Sequence, residues 1–276
     1  MTAYALKEGF TIGCDPELFL ADANGKLVCA DGLIPGTKAE PYKVPGGAVQ
    51  VDGMAAEFNI DPVNTFEGFR DNINTVMATL KEMVPTGTQF VIKPAVVFDD
   101  DVWEAAPDHA KELGCMPDFN AWTGAMNPPP RDNSNPTMRT ASGHVHIGWT
   151  NDVELSDDNH INNCRDLVRQ LDFYLGGWSL WHDEDPTRRR LYGKAGACRY
   201  KPYGVEYRVL SNFWLLSEDK MKEVWNRICI AIDDMQRAYM PALAAIEENK
   251  RLIRAIETGK IDSKLYNKYS YPLFSA

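Results

Sequence analysis

Apolar positions along the chain recur with two periods, and the change from one to the other marks out its elements. Residues 10–21 alternate apolar and polar, which predicts a strand; the turn Asn24-Gly25 follows, and 26–29 return as a second strand. After a glycine- and proline-rich stretch at 32–47, residues 48–51 and 54–60 flank Asp52-Gly53 and read as a hairpin. Asn64 or Thr65 can cap a helix in which Phe69, Ile73, Val76, Met77 and Leu80 recur at helical spacing. Residues 90–98, 142–150 and 205–210 read as further strands. A helix after Ser156 carries Ile161, Cys164, Leu167, Val168, Leu171 and Leu175 on one face, and a loop over 183–198 follows it. The last long helix starts near Glu218 and buries Met221, Val224, Trp225, Ile228, Ile232 and Met235, with Pro241 expected to bend or end it.

One segment resists this pattern. From 99 to 140 the chain breaks into prolines, glycines and asparagines. Loops beyond about 12–15 residues are usually functional or disordered. The segment is therefore expected to be a lid-like insertion over a site, the alternative being a decorated surface insertion. No break in composition divides the chain. One α+β domain over 1–276, with C-terminal helices over about 218–258, is the simplest expectation.

Composition narrows the function. The chain is 44% hydrophobic and 25% charged, which excludes wholesale disorder. Its 39 acidic against 29 basic residues leave a net charge of −10, which opposes non-specific nucleic-acid binding. The 6 cysteines have irregular gaps and no CxxC pair, so free thiols in a reducing cytoplasm are expected rather than a zinc knuckle or a redox dithiol. The N-terminus lacks the pattern of a signal peptide, and no apolar run is long enough for a membrane span.

Four of the strand segments share a further property. Asp15 and Glu17 fall on one strand face, Glu57 pairs with Asn59, His144 with His146, and Glu206 with Arg208, each set opposite an apolar face. Each alone is an ordinary half-exposed strand. Four together, if they belong to one sheet, give it a helix-covered face and an acidic, histidine-bearing face. Such a face repels itself unless a cation occupies it, and carboxylates with imidazole suit Mg²⁺ or Mn²⁺. Mg²⁺ is commonly held by few carboxylates plus phosphates, so a phosphorylated ligand is implied. Cations for it are available at Arg188-Arg189-Arg190, Lys194, Arg199, Lys201 and Arg208, the triple arginine reading more readily as a solvated run. The glycines and alanines between Leu191 and Arg199 would let backbone approach a phosphate.

These segments also resemble a known family. Gly13-Cys-Asp-Pro-Glu-Leu-Phe-Leu-Ala-Asp22, Gly143-His-Val-His-Ile-Gly148 and Glu206-Tyr-Arg208 look like three strand motifs of glutamine synthetases, in the same order. With Pro35-Gly-Thr-Lys38, Asp52-Gly53 and Tyr192-Gly-Lys-Ala-Gly196 added, residues 10–215 resemble the phage-encoded amidoligase-type-2 family, the phiEco32-like carboxylate–amine ligases of the glutamine synthetase-like superfamily. The resemblance implies a curved, mainly antiparallel sheet with helices on one face and the metal and ATP site on the other. It implies an ATP-dependent ligase that phosphorylates a carboxylate and joins it to an amine through an acyl phosphate.

By motif position, Asp15, Glu17, Glu57, His144 and Glu206 would hold metal, with Asp15 a shorter acid than the family's first Glu. His146 and Lys194 would meet nucleotide phosphates, and Arg199 and Arg208 would neutralise the transferring phosphoryl group. Lys38 and Arg139 are candidates for substrate carboxylates, with surface cations the alternative. The resemblance further implies small-molecule or peptide substrates, a cytoplasmic protein (in the host, if phage-encoded), and room for a homo-oligomer. Within 276 residues no room is expected for the synthetases' N-terminal β-grasp domain. Two other readings stay open, a metal-dependent phosphohydrolase and an inactive binding or virion protein on the same fold.

Overall fold

A computed structural model describes residues 2–112, 118–128, 135–183, 185–244 and 246–261. Strands are β1 (Thr11–Ala21), β2 (Leu27–Val28), β3 (Tyr42–Val44), β4 (Gly47–Asp52), β5 (Ala55–Ile60), β6 (Gln89–Val91), β7 (Ala95–Val97), β8 (Phe119–Asn120), β9 (Met138–Thr140), β10 (Gly143–Gly148), β11 (Ala197–Lys201) and β12 (Gly204–Tyr207). Helices are α1 (Phe66–Met83), α2 (Asp100–Ala105), α3 (Asp108–Lys111), α4 (Asp158–Leu171), α5 (Gly177–Ser179), α6 (Thr187–Leu191), α7 (Glu218–Gln236), α8 (Pro241–Ala244) and α9 (Ile246–Thr258). Thr65 caps α1 by accepting from the Gly68 amide, and α7 ends at Gln236, before Pro241 is reached.

The four acid- or histidine-bearing strands do share a sheet. Its order is β3-β4-β5-β1-β10-β12-β11-β8, with β2 and β6 pairing the far end of β1, and the pairings are antiparallel. The fold is α+β, as expected. One face carries Ile12, Cys14, Val145, Ile147, Val205 and Tyr207, all buried in the main core with Cys164, Leu167 and Leu171 of α4 and Val224, Trp225 and Ile228 of α7. That face is sealed by helices, which leaves the opposite face for chemistry. Beyond Glu17 a second, smaller apolar cluster joins Phe19 and Met54 to Phe98, Ala106, Ala110 and Ala141.

Several local expectations change. Residues 90–98 do not form one strand: Pro94, which lacks a ladder donor, separates β6 on the main sheet from β7, which pairs β9 in a sheet of its own. The loop expected over 183–198 contains α6, and β11 follows it, hidden in the sequence because it is only 5 residues long. Helix α4 runs on into a π-helical turn at Asp172–Gly176, where the Asp172 carboxylate accepts from the Tyr207 hydroxyl at 2.8 Å and from Trp122 Nε1 at 2.6 Å. The segment 99–140 includes α2, α3, β8 and β9, and Ala106 and Ala110 root it in the second cluster; 113–117 and 129–134 lie outside the described residues. Among the described residues the cysteines are free, while Cys115 lies outside them, and no helix is long and apolar enough to cross a membrane.

Candidate active site

Strand register, more than sequence spacing, assembles the site. Asp15 stands opposite His144 across β1 and β10, His146 opposite Glu206 across β10 and β12, and Glu206 opposite Arg199 across β12 and β11. On the other side of β1, Glu17 stands opposite Glu57, and Glu57 opposite Gln50. The result is a continuous polar band over six strands, β4-β5-β1-β10-β12-β11.

Asp15, His144 and Glu206 offer three ligand atoms within 4.8 Å of one another, the one such group among the described residues. His144 Nδ1 lies 3.4 Å from Asp15 Oδ1 and 3.6 Å from Glu206 Oε1. Asp15 Oδ1 is buried and forms an ion pair with His146 Nε2 at 3.1 Å, but the two are out of hydrogen-bond geometry and neither atom has a hydrogen-bond partner. A buried carboxylate oxygen with no donor, set among a second carboxylate and an imidazole, fits a hard divalent cation.

Charge divides this band into two halves. On the first, burial and the Arg208 guanidinium hold His144 down to about 3, so its ring is neutral at pH 7. Burial works to lower His146 too, but Asp15 outweighs it and raises that ring, whose Nδ1 lies 2.6 Å from the Tyr203 hydroxyl. Burial would raise the Asp15 carboxyl, but His146 above all holds it well below the usual range. Burial and Asp15 push Glu206 upward, and Arg208 and His146 outweigh them to hold it at about 2. On the second half, burial and Asp52 raise Glu17 to about 7, and burial with Asp15, Asp52 and Glu17 raises Glu57 well above its ordinary value. The self-repulsion expected of the face, to which Asp15 and Asp52 contribute, thus shows as raised carboxyls at Glu17 and Glu57, while cationic neighbours keep Asp15 and Glu206 ionised.

Two cavities meet at this wall. One, of about 510 Å³, is lined by Asp15, Glu17, Glu57, His144 and Glu206 together with Lys38, Arg139, Arg199, Lys201 and Arg208. The other, of about 630 Å³, shares Asp15, Gln50 and Glu57 and adds His146, Gly13, Gly148, Ile60, Pro62, Trp149 and Tyr203. Of the residues given a role by motif position, only Lys194 lies outside the lining of both cavities. Lys38 Nζ is turned to Asp52 at 2.6 Å, and the Arg139 guanidinium lies 4.3 Å from the Trp103 ring centre while donating to the Lys111 carbonyl.

Residues 140–260 match the family model described as phage phiEco32-like COOH.NH2 ligase-type 2. The resemblance read from the motifs is borne out over that stretch, which carries His144, His146, Arg199, Glu206 and Arg208 of the band. Asp15, Glu17 and Glu57 precede it. Among solved structures, a bifunctional glutathione synthetase from Pasteurella multocida is similar at 11% identity and a TM-score of 0.49, over 95% of this chain and 47% of that one. A novel glutamine synthase homolog is similar at 10% identity and a TM-score of 0.39, over 96% of this chain and 64% of that one. The chain thus spans less than half the length of the first and under two thirds of the second. No curated protein matches the sequence.

Four participants were either missed by the sequence reading, as Asp118 and Gln50 were, or named only as available cations, as Lys201 and Arg188 were. Lys201 Nζ lies 3.0 Å from Glu206 Oε2, its place two residues from Arg199 concealed with the strand that carries both. Asp118 Oδ2 meets Arg208 Nε at 3.4 Å from a loop with no pattern of its own. Gln50 Nε2 donates to Glu57 at 2.8 Å, and its position opposite Glu57 follows from the hairpin at Asp52-Gly53. The fourth is Arg188. The triple arginine is no solvated run, since Arg188 and Arg189 are each 1% exposed. Nor do the glycines after it serve only a backbone approach: at Gly193, with φ of +66°, a Cβ would come within 2.2 Å of Arg188 Nη1 and 2.7 Å of the Val209 carbonyl oxygen.

Proposed function

We propose that the chain is an ATP- and divalent-metal-dependent carboxylate–amine ligase. The observation that carries this reading is the meeting of two chemically different cavities at one acidic wall. The Trp149 and Tyr203 side, with apolar Ile60 and Pro62 and small Gly13 and Gly148, suits a stacked base with its phosphates toward His146. The other side, with Arg139, Arg199, Lys201 and Arg208, suits an anionic acceptor, an amino acid or a peptide-like acid.

In this reading Asp15, His144 and Glu206 hold a Mg²⁺ or Mn²⁺ ion, with Glu17 and Glu57 as further ligands. Such an ion supplies charge neutralisation for the phosphates. Arg208 and Arg199 neutralise the phosphoryl group as it moves from ATP to the acceptor carboxylate, which leaves ADP and an acyl phosphate. An amine then forms the C–N bond as the C–O bond to phosphate breaks. Positioning and charge do the catalysis, so no nucleophilic side chain is required.

Positional isotope exchange separates this reading from a phosphohydrolase. ATP labelled with ¹⁸O in the β–γ bridge, given with Mg²⁺ and a panel of amino and dicarboxylic acids but no amine, should scramble its label with at least one acid and not without acid. Phosphate release from ATP or a phosphate ester at the same rate with and without acids would favour the hydrolase. Trp149→Ala should raise the KM for ATP about tenfold, as loss of base stacking worth roughly 1–3 kcal/mol requires, and leave the acceptor's KM near wild type.

A further inference from the structure

Gly13 lies within β1, on the face that carries Asp15 and Glu17, and lines the cavity of Trp149 and Tyr203. Glycine weakens the interior of a strand, so its presence there calls for a reason. The other glycines of the strands find theirs inside the protein. A Cβ would collide with the Asn59 carbonyl at Gly47, the Ser211 carbonyl at Gly143 and the Ile147 carbonyl at Gly204, and would come within 2.6 Å of Thr11 Oγ1 at Gly148. At Gly13 the nearest atoms would be the Ile60 carbonyl oxygen at 3.7 Å and His146 Cβ at 3.8 Å, which are ordinary contacts. Its φ is not positive, and the pairing of β1 with β10 runs without a bulge from Thr11 opposite Gly148 to Pro16 opposite Gly143. Neither backbone conformation nor packing within the protein demands glycine here.

What a side chain at position 13 would enter is the cavity itself. Ile60 and His146 line it, while Ile12 and Cys14 on either side turn into the core. Along β1 the cavity runs from Thr11, opposite Gly148 and beside Trp149, through Gly13, opposite His146, to Asp15 at the acidic wall. Two strand residues separate Gly13 from Asp15 by about 6.6–6.8 Å. At the wall, Asp15 Oδ1 and His146 Nε2 are buried without a hydrogen-bond partner, so polar groups there await a ligand. With a base at Trp149 and Tyr203 and phosphates toward His146 and the wall, the part of a nucleotide that lies over Gly13 is its sugar.

We infer that Gly13 is a specificity-determining residue, whose bare backbone lets the ribose of a nucleoside triphosphate lie against β1. This rests on the reading of that cavity as the nucleotide site. The ligand, and not the fold, then sets the residue, and the unliganded protein gives up stability that alanine would return.

The test compares Gly13→Ala with wild type in the full chain, by calorimetric titration and by thermal melting. Affinity for a non-hydrolysable ATP analogue with Mn²⁺ is expected to fall about tenfold or more, because a methyl group would occupy space that the sugar needs. Affinity for Mn²⁺–tripolyphosphate, which has no sugar, should change by less than about twofold. Without ligand the variant should melt at or above wild type, by up to about 4 °C, since alanine restricts the unfolded chain and fits the strand. A variant that melts below wild type would mean that the protein itself requires glycine, and would overturn the inference. Unchanged affinity for the analogue, or an equal loss for both ligands, would overturn it too and leave the nucleotide site standing. Wild-type protein that binds neither ligand would remove the nucleotide reading and the inference with it.

Discussion

Glu206→Gln is expected to abolish ligation, lowering ADP release by at least about 10²–10³-fold, while the protein still folds. The side chain is 1% exposed, donates charge to the three-residue cation group, and is held at about 2, so it is an anion at any working pH. Around it stand Lys201 at 3.0 Å, Arg199 at 3.5 Å and the directly bonded Arg208. Glutamine keeps the shape and loses the charge that both a divalent ion and these three cations require. Removing one partner of a buried pair commonly costs about 3–5 kcal/mol. Here Asp118 still meets Arg208 at 3.4 Å, and Lys201 is 31% exposed, so a cost of roughly 1–3 kcal/mol is expected and folding survives. Turnover and melting temperature measured on one preparation check both halves. A folded variant with near-normal turnover would take Glu206 out of the reaction.

The metal-free protein should lose stability as pH rises through neutrality, and Glu17→Gln should remove its share of that loss, the raised carboxyls of Glu57 and Asp172 keeping theirs. In the folded chain Glu17 titrates at about 7 instead of 4.5, so between those values the native state binds more protons than the unfolded one. Stability on this account falls with rising pH across that window. His146, also raised, acts in the same direction above its ordinary 6.5. His144 at about 3 and His182 at about 4 act the other way up to 6.5, which is why the difference between the two proteins carries the test and not either curve alone. In chelator, Glu17→Gln should melt above wild type at pH 8, by up to roughly 3 kcal/mol at about 1.36 kcal/mol per pH unit, and the gap should close toward pH 5. Part of the carboxyl stays wet, so this is an upper bound. Saturating Mg²⁺ should narrow the gap, and a gap that ignored pH would contradict the assignment. Asp15→Asn should bring no such gain, since His146 holds Asp15 ionised without help from a metal.

The acid- and histidine-bearing strands were legible because each buries one face, and a period of two survives in any strand of that kind. Asp15 with Glu17, and His144 with His146, could be placed on shared faces from spacing alone. Their neighbours could not. That His146 faces Glu206, and Glu17 faces Glu57, depends on strand order, which local pattern does not carry. Lys201 was named as a cation, but its pairing with Glu206 stayed hidden with its short strand. Arg188 misled for a different reason. A run of arginines usually remains in water, and what overrides that here is a set of carbonyl and hydroxyl acceptors at Ser142, Arg208 and Val209, up to 46 residues away in sequence. Lys194, a cation within the motif that follows the arginine run, lines neither cavity, a placement its spacing did not carry.

The most direct test of the central claim, that the Asp15–His144–Glu206 wall binds a divalent ion together with a nucleotide, is calorimetric titration of a non-hydrolysable ATP analogue into the full chain. It is done with Mn²⁺ and with chelator, for wild type and for Glu206→Gln. Binding to wild type that requires Mn²⁺ and weakens at least about tenfold in Glu206→Gln is the expected result. Absence of binding at millimolar analogue in folded protein, or equal binding with and without the ion, would contradict it.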